Sequence, residues 1–101
     1  MDIDLSFSHQ LSDDEVKTRV KKMLAEKAEK HKNDLKFFEA VWQVDGSCVL
    51  KGKVMSFSLI GKLEFPPGSV RIKADLPVML KFFRGRIAAE INKEMEILLK
   101  N

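Results

Sequence analysis

The chain has 101 residues, of which 45% are hydrophobic and 33% are charged. This composition is that of an ordinary globular protein and excludes a disordered chain. The 18 basic and 15 acidic residues leave a net charge of +3, which is only weak support for a polyanionic partner. No apolar run approaches the roughly 18 residues that span a bilayer, so we predict no transmembrane segment. The length predicts a single domain, residues 1–101.

The N-terminal residues predict a strand. Ile3, Leu5 and Phe7 alternate with polar residues, a pattern typical of a half-buried strand over residues 2–8. The acidic start, Met1-Asp2, lacks the basic and apolar regions of a secretory signal, so we expect a cytoplasmic protein.

The first helix has a well-marked start. Ser12 and Glu15 have the spacing of a capping box, and Leu11 and Val16 have the spacing of a hydrophobic staple. Asn33 suits the left-handed conformation that often follows a helix. The pattern therefore predicts a helix over residues 12–32.

Four strands are predicted next, over residues 36–44, 47–54, 56–65 and 69–75. Asp45-Gly46 is a hairpin-turn signal between the first two, and Pro66-Pro67-Gly68 predicts a turn between the last two. Strands joined by tight turns are antiparallel. The fold class is therefore α+β: a single antiparallel sheet in the order β-α-β-β-β-β-α, packed against a long N-terminal-half helix and a long C-terminal helix.

The C-terminal stretch, residues 76–99, reads as one long helix. At 100° per residue, one arc of large apolar residues would form its core face: Leu76, Leu80, Phe83, Ile87, Ile91, Met95 and Leu98. That arc leaves Val78 and Phe82 nearly opposite and Met79 at its edge. Either the rest of the fold covers these residues, or they form an exposed contact surface fringed by Lys81, Arg84 and Arg86.

Gly85 would lie inside this helix, where glycine costs about 1 kcal/mol relative to alanine. Close packing against another backbone, or a kink, would explain its presence.

The residues that could act in catalysis or bind a metal do not assemble into a site. His9 and His31 lie at opposite ends of the predicted strand-to-helix unit, and Cys48 sits in a strand as a small apolar residue. One cysteine excludes an internal disulfide. Nothing combines a nucleophile, a base and an orienting group, so we expect a non-enzymatic protein with no metal, cofactor or catalytic residue.

A basic face is predicted on the sheet. The residues that would gather there are Lys51, Lys53, Lys62, Arg71 and Lys73. A solvated face explains them, because an RNA-binding sheet would interleave aromatic residues for base stacking. The α-β-β-β-α core is also similar to double-stranded-RNA-binding domains, which carry a lysine cluster at the start of the second helix. The corresponding residues here, 76–81, are mostly apolar, which argues against a nucleic acid partner.

The whole chain resembles a small bacterial family, the polyhydroxyalkanoic acid system proteins, encoded near polyester-granule genes. The features that carry the resemblance are the Ile3-to-His9 strand, the Leu11-Ser12 helix start, Trp42 before Asp45-Gly46, the Gly61-Lys62-Leu63 strand, the Val70-to-Asp75 strand, Leu76-Pro77 and Phe83-to-Ile91. The resemblance implies a link to polyhydroxyalkanoate storage and transfers no catalytic residue.

Two functions remain open. The first is an accessory protein that contacts a granule surface, a granule protein or a second copy of itself; its contact residues would be Val78, Met79, Lys81, Phe82 and Arg86. The alternative is a carrier for a hydroxyacyl or fatty-acyl ligand in an apolar cavity between the sheet and the C-terminal helix. Its cavity residues would be Trp42, Phe57, Leu59 and Phe83.

Overall fold

The computed structural model describes residues 2–30, 35–54 and 57–100, without the side chains of residues 30, 35–38, 53, 54 and 57. The strands are β1 (Ile3–Ser8), β2 (Leu35–Trp42), β3 (Cys48–Val54), β4 (Phe57–Glu64) and β5 (Ser69–Asp75). The helices are α1 (Asp13–Lys30) and α2 (Arg84–Leu98), and a 3₁₀ helix, Val78–Phe83, directly precedes α2. We call this helix the 3₁₀ segment. The α+β class and the predicted element order are confirmed.

All five strands form one antiparallel sheet in the order β1-β5-β4-β3-β2. Because β1 and β2 are the two edges, α1 carries the chain from one edge to the other across a face of the sheet. One row of paired residues crosses the whole inner face: Leu5, Ile72, Leu63, Cys48 and Trp42.

Both predicted turns form. Ser69 N donates to Pro66 O at 3.0 Å and Gly68 has φ +75°, the left-handed value that a type II turn requires. Gly46 also has a positive φ, +89°. The Asp45 carboxylate accepts hydrogen bonds from the amide and the hydroxyl of Ser47, which hold this loop and lower the pKa of Asp45.

The start of α1 is confirmed. Glu15 N donates to Ser12 Oγ at 3.1 Å, as a capping residue requires. Val16, the staple residue, is fully buried. The predicted stop at Asn33 lies outside the described residues.

Both helices pack on the same face of the sheet. Val20 and Leu24 of α1 contact the sheet residues Cys48 and Leu63, and Val16 of α1 meets the sheet and α2 in a second cluster. That second cluster joins Val16 to Val70 of β5 and Met95 of α2. Arg19 Nη1 donates to the carbonyl oxygens of Leu98 and Lys100, at 2.9 and 2.7 Å. These bonds satisfy carbonyls that a helix end leaves unpaired and tie the end of α2 to α1.

Two local predictions are wrong. The strand predicted over residues 36–44 ends at Trp42, and Val44 is an exposed loop residue. The C-terminal stretch is not one α-helix, because Phe83, with φ −98° and ψ 9°, separates the 3₁₀ segment from α2. No residue of the 3₁₀ segment is buried, so tertiary packing, the main source of helix stability, does not hold it in the α form.

Candidate contact surface and apolar cavities

The 3₁₀ segment exposes large apolar side chains. Val78, Met79 and Phe82 are 73%, 64% and 92% exposed, and we call these three residues the exposed patch. Residues three apart eclipse one another in a 3₁₀ helix, so Met79 and Phe82 share one side of the segment. Leu80, half-buried, shares another side with Phe83, which is 49% exposed. Val78, Met79 and Phe82, which lie off the predicted core face of the C-terminal helix, are therefore exposed in the structure.

Other exposed large apolar residues are isolated. Val44 lies in the β2–β3 loop, Ile60 on the outer side of β4, and Ile97 near the end of α2. Single exposed apolar residues are common on protein surfaces, whereas a contiguous group often marks a contact site. Among the described residues, the exposed patch is the place where three such side chains lie within five consecutive positions.

Cations surround the exposed patch. Lys81 Nζ lies 3.8 Å from the Asp2 carboxylate, whereas Arg84 and Arg86 make no ion pair with any described residue. Both arginines are in the first turn of α2, which has no acidic residue. The helix dipole does not stabilise a cation there. Stabilisation of the helix therefore does not account for this pair of arginines.

Asp2 joins β1 to the start of the C-terminal region. Its carboxylate accepts a hydrogen bond of 2.8 Å from Leu76 N. This bond lowers the pKa of Asp2, with help from the charges of Lys81 and Arg84. The cationic side of the 3₁₀ segment thus lies beside the point where the chain leaves β5.

An apolar cavity of about 390 Å³ lies between the sheet and the C-terminal region. Its wall includes Leu50, Leu59, Ile72, Leu76, Leu80 and Ile87. It exists because three adjacent inner positions carry little or no side chain: Gly52 of β3, Gly61 of β4 and Ala74 of β5. Inner-face residues such as Leu50 and Leu59 consequently remain half-exposed.

A second cavity, of about 310 Å³, lies between α1 and α2. Leu50, Ile72 and Ile91 line both cavities, so the two adjoin beneath α2. On the side of the second cavity, Lys27 of α1 and Glu94 of α2 form an ion pair of 2.8 Å between the helices.

The cavity residues predicted from sequence only partly come together. Leu59 lines the larger cavity, and the side chain of Phe57 lies outside the described residues. Trp42 does not line it, because β2 is the far edge strand; its ring stacks on Phe65, with centroids 5.7 Å apart. Phe83 does not line it either, since the change from 3₁₀ to α geometry at this residue leaves its side chain partly exposed. The sequence signal for the cavity was the run of small residues at inward positions, Gly52, Gly61 and Ala74.

The outer face of the sheet is charged but balanced. Arg71 forms two hydrogen bonds with the Asp4 carboxylate, at 2.9 and 2.8 Å, and this pairing lowers the pKa of Asp4. Lys73 lies 2.9 Å from Glu64, and its hydrogen bond lowers the pKa of Glu64. These carboxylates offset Arg71 and Lys73 of the predicted basic face, as on a solvated surface. The side chain of Lys53 lies outside the described residues.

The described residues that could act as a nucleophile or a metal ligand are either hydrogen-bonded or buried. Cys48 is fully buried, as predicted, and burial raises the pKa of its thiol, which disfavours the reactive thiolate. His9 Nδ1 accepts a hydrogen bond from Leu11 N, and His31 lies outside the described residues. Within residues 2–30, 35–54 and 57–100, no three His, Cys, Asp or Glu side chains converge as metal ligands. Neither described helix is long and apolar enough to cross a membrane.

Comparison with protein families supports the resemblance seen in the sequence. The family model for polyhydroxyalkanoic acid system proteins matches residues 3–99. The chain belongs to that family. The match extends from β1 through α2 and so includes the exposed patch and both cavities. Family membership supports a role related to polyhydroxyalkanoates. No curated protein and no solved structure shows significant similarity to the chain.

Proposed function

We propose that this protein is a non-enzymatic accessory factor of polyhydroxyalkanoate storage that attaches to the granule surface through the exposed patch. The observation that carries the proposal is the 92% exposure of Phe82 beside two other exposed apolar residues, Val78 and Met79. Such exposure disfavours the isolated protein in water and is relieved when the side chains enter an apolar surface.

The charges around the exposed patch fit an interfacial location. Proteins that lie on lipid-like surfaces combine an apolar face with lysine and arginine at its edge, so that the cations remain at the polar boundary. Lys81, Arg84 and Arg86 are exposed and provide such an edge. A polyester surface is the occupant that the family setting favours.

Binding to protein-free polyhydroxyalkanoate particles tests this proposal. We expect Phe82→Glu to lower the affinity for the particles about tenfold or more, since burying a phenylalanine contributes about 1.5–3 kcal/mol and 1.4 kcal/mol corresponds to a factor of ten in affinity. The matched control is Ile97→Glu, which places the same charge at an apolar residue of α2 that is also exposed, at 68%. The control should bind like the wild-type protein.

Two results would contradict the granule contact. Equal recovery of the wild-type protein and Phe82→Glu on the particles would show that the exposed patch is not used. A wild-type dimer that Phe82→Glu converts to a monomer, measured by light scattering, would instead assign the patch to contact between two copies.

A second candidate function is a carrier for a hydroxyacyl or fatty-acyl ligand. The specific observation in its favour is the apolar cavity of about 390 Å³, because small-molecule sites occupy about 300–1,000 Å³ and are mostly apolar. Calorimetric titration with a medium-chain fatty acid tests it. Saturable binding to one site supports the carrier function, and absence of heat and of any change in the NMR spectrum contradicts it.

A further inference from the structure

Two neighbouring cavities lie beneath α2, and we call them together the channel. They share the wall residues Leu50, Ile72 and Ile91. The accessible surface of the larger cavity is apolar, although Lys51, Lys62, Lys73 and Asp75 contribute to its wall. An unbranched aliphatic chain suits this interior, because a polar group buried there would lose its hydrogen bonds with water without replacement.

The two ends of this channel differ in charge. At the α1–α2 end the lysine is already paired, since Lys27 binds Glu94 at 2.8 Å, and Glu90 adds a further negative charge. At the 3₁₀ end, Arg84 forms no ion pair within 4 Å with a described residue, although its charge helps to lower the pKa of Asp2. Arg84 precedes the cavity residue Ile87 by three positions, one helical turn, and therefore lies on the same side of α2.

We propose that the channel binds a single-chain aliphatic carboxylate, with its hydrocarbon tail in the two cavities and its carboxylate at Arg84. This inference rests on the carrier function proposed above and deepens it by assigning the site, the head group and the orientation. The carboxylate pairs with a cation that the helix dipole does not stabilise at the start of α2. The tail runs from Leu80 and Ile87 past Ile91 into the smaller cavity, so the carboxylate lies at the end away from the acidic residues Glu90 and Glu94.

The orientation sets a rule for substituted ligands. A hydroxyl group near the carboxylate stays at the 3₁₀ end, in contact with water, whereas a hydroxyl group in the middle of the chain enters the apolar channel. We expect decanoate and 3-hydroxydecanoate to bind with similar affinity. A decanoate with a mid-chain hydroxyl should bind about fivefold more weakly or worse, because burial of an unpaired hydroxyl is unfavourable.

Isothermal titration of the full chain with decanoate and with decanol tests the site and the head group together. Ala74→Leu adds a side chain within the larger cavity, which Ala74 lines, and should weaken decanoate binding more than about tenfold. The same substitution should raise the Tm by roughly 2–8 °C, because filling a cavity stabilises a fold. Leu50→Phe, at a residue shared by both cavities, is the second variant if Ala74→Leu does not fold.

Arg84→Gln tests the carboxylate position. We expect it to weaken decanoate binding about two- to fivefold, the effect of one partly exposed charge pair, and to leave decanol binding unchanged. Val44→Gln, at an isolated exposed residue of the β2–β3 loop, is the control for a surface substitution and should retain the wild-type affinity for decanoate.

These experiments distinguish failure of the proposed ligand position from failure of the carrier function or of the granule contact. No binding of either ligand to the wild-type protein refutes the carrier function and the inference with it, while the granule contact is tested independently by the particle assay. Unchanged decanoate binding by Ala74→Leu and Leu50→Phe refutes the channel as the site. Equal effects of Arg84→Gln on decanoate and decanol refute the head-group position while the carrier function stands.

Discussion

The inner face of the sheet is covered tightly at one end and loosely at the other. At the packed end, which we define by Val16, Val70 and Met95, side chains of α1, β5 and α2 meet with at most 2% exposure. At the open end, which we define by Leu59, Leu80 and Ile87, the residues on either side of the larger cavity are half-buried.

The two ends differ in the side chains and covering elements that fill the space above the inner face of the sheet. At the packed end Arg19 also binds the last carbonyls of α2, so the helix end is held by both apolar packing and hydrogen bonds. At the open end the inner strand positions are Gly52, Gly61 and Ala74, and the covering element is a six-residue 3₁₀ helix with no buried residue. The end of the C-terminal region therefore maintains the fold, which leaves its beginning available for contact.

Truncation of apolar residues gives the largest expected difference between the two ends. Met95→Ala at the packed end should lower the free energy of unfolding by about 2–5 kcal/mol, since Met95 is 2% exposed and packs with Val16 and Val70. Ile87→Ala at the open end should lower it by less than half that amount, because Ile87 is only half-buried and loses less apolar contact. Urea denaturation of both variants measures the difference. Equal losses would show that the open end is as well packed as the other.

Gly85→Ala should change the free energy of unfolding by less than these truncations do, and should raise it. A Cβ atom at Gly85 would meet nothing within 4 Å, so the close backbone contact offered as an explanation from sequence is not present among the described residues. Gly85 is not among the glycines with positive φ. We therefore expect the substitution to raise the free energy of unfolding by about 0.4–1 kcal/mol through a less flexible unfolded chain. Thermal denaturation checks this, and a lower Tm would show that the junction needs glycine.

The link from Asp2 to the open end should be sensitive to acid. The hydrogen bond from Leu76 N lowers the folded-state pKa of Asp2 below its ordinary value of 3.8. A carboxylate with a lowered pKa stabilises the fold above its unfolded pKa, and this contribution is lost as the pH falls through the lower folded value. The wild-type protein should therefore be more stable than Asp2→Ala at pH 7, and the gap should narrow below about pH 4.

Thermal denaturation of the two proteins across this pH range measures that gap. Other carboxylates with lowered pKa values, such as Asp4 and Glu64, are present in both proteins, so their effects cancel in the comparison. A gap that stays constant down to about pH 2 would contradict the role given to the Asp2 carboxylate.

The sequence was informative where local rules decide the structure. The Ser12 cap, the two turns and the alternation in each strand depend on residues close together in the chain, and these predictions hold apart from element ends. The strand order was not accessible in this way, because a period of two shows which face a residue occupies and not which strand lies beside it. For this reason Trp42 was predicted to lie by the cavity although β2 is the far edge.

The break in the C-terminal region was also not accessible from the sequence. An apolar period of 3.6 fits residues 76–99 well, and the helical arc predicts a buried Phe83. Burial decides the outcome: the open end provides no packed surface for the first two turns, so the tighter 3₁₀ geometry forms there and Phe83 remains 49% exposed. The exposed patch was nevertheless identifiable as the set of apolar residues that the arc did not explain.

We propose that the open end, through the outer side of the 3₁₀ segment, is the contact surface. Hydrogen–deuterium exchange of the protein, free and bound to protein-free polyhydroxyalkanoate particles, can locate this surface. We expect slower exchange on binding for amides of residues 78–86, with little change around Val44, Ile60 and Ile97, the isolated exposed residues. Slower exchange around those isolated residues, with residues 78–86 unchanged, would contradict it.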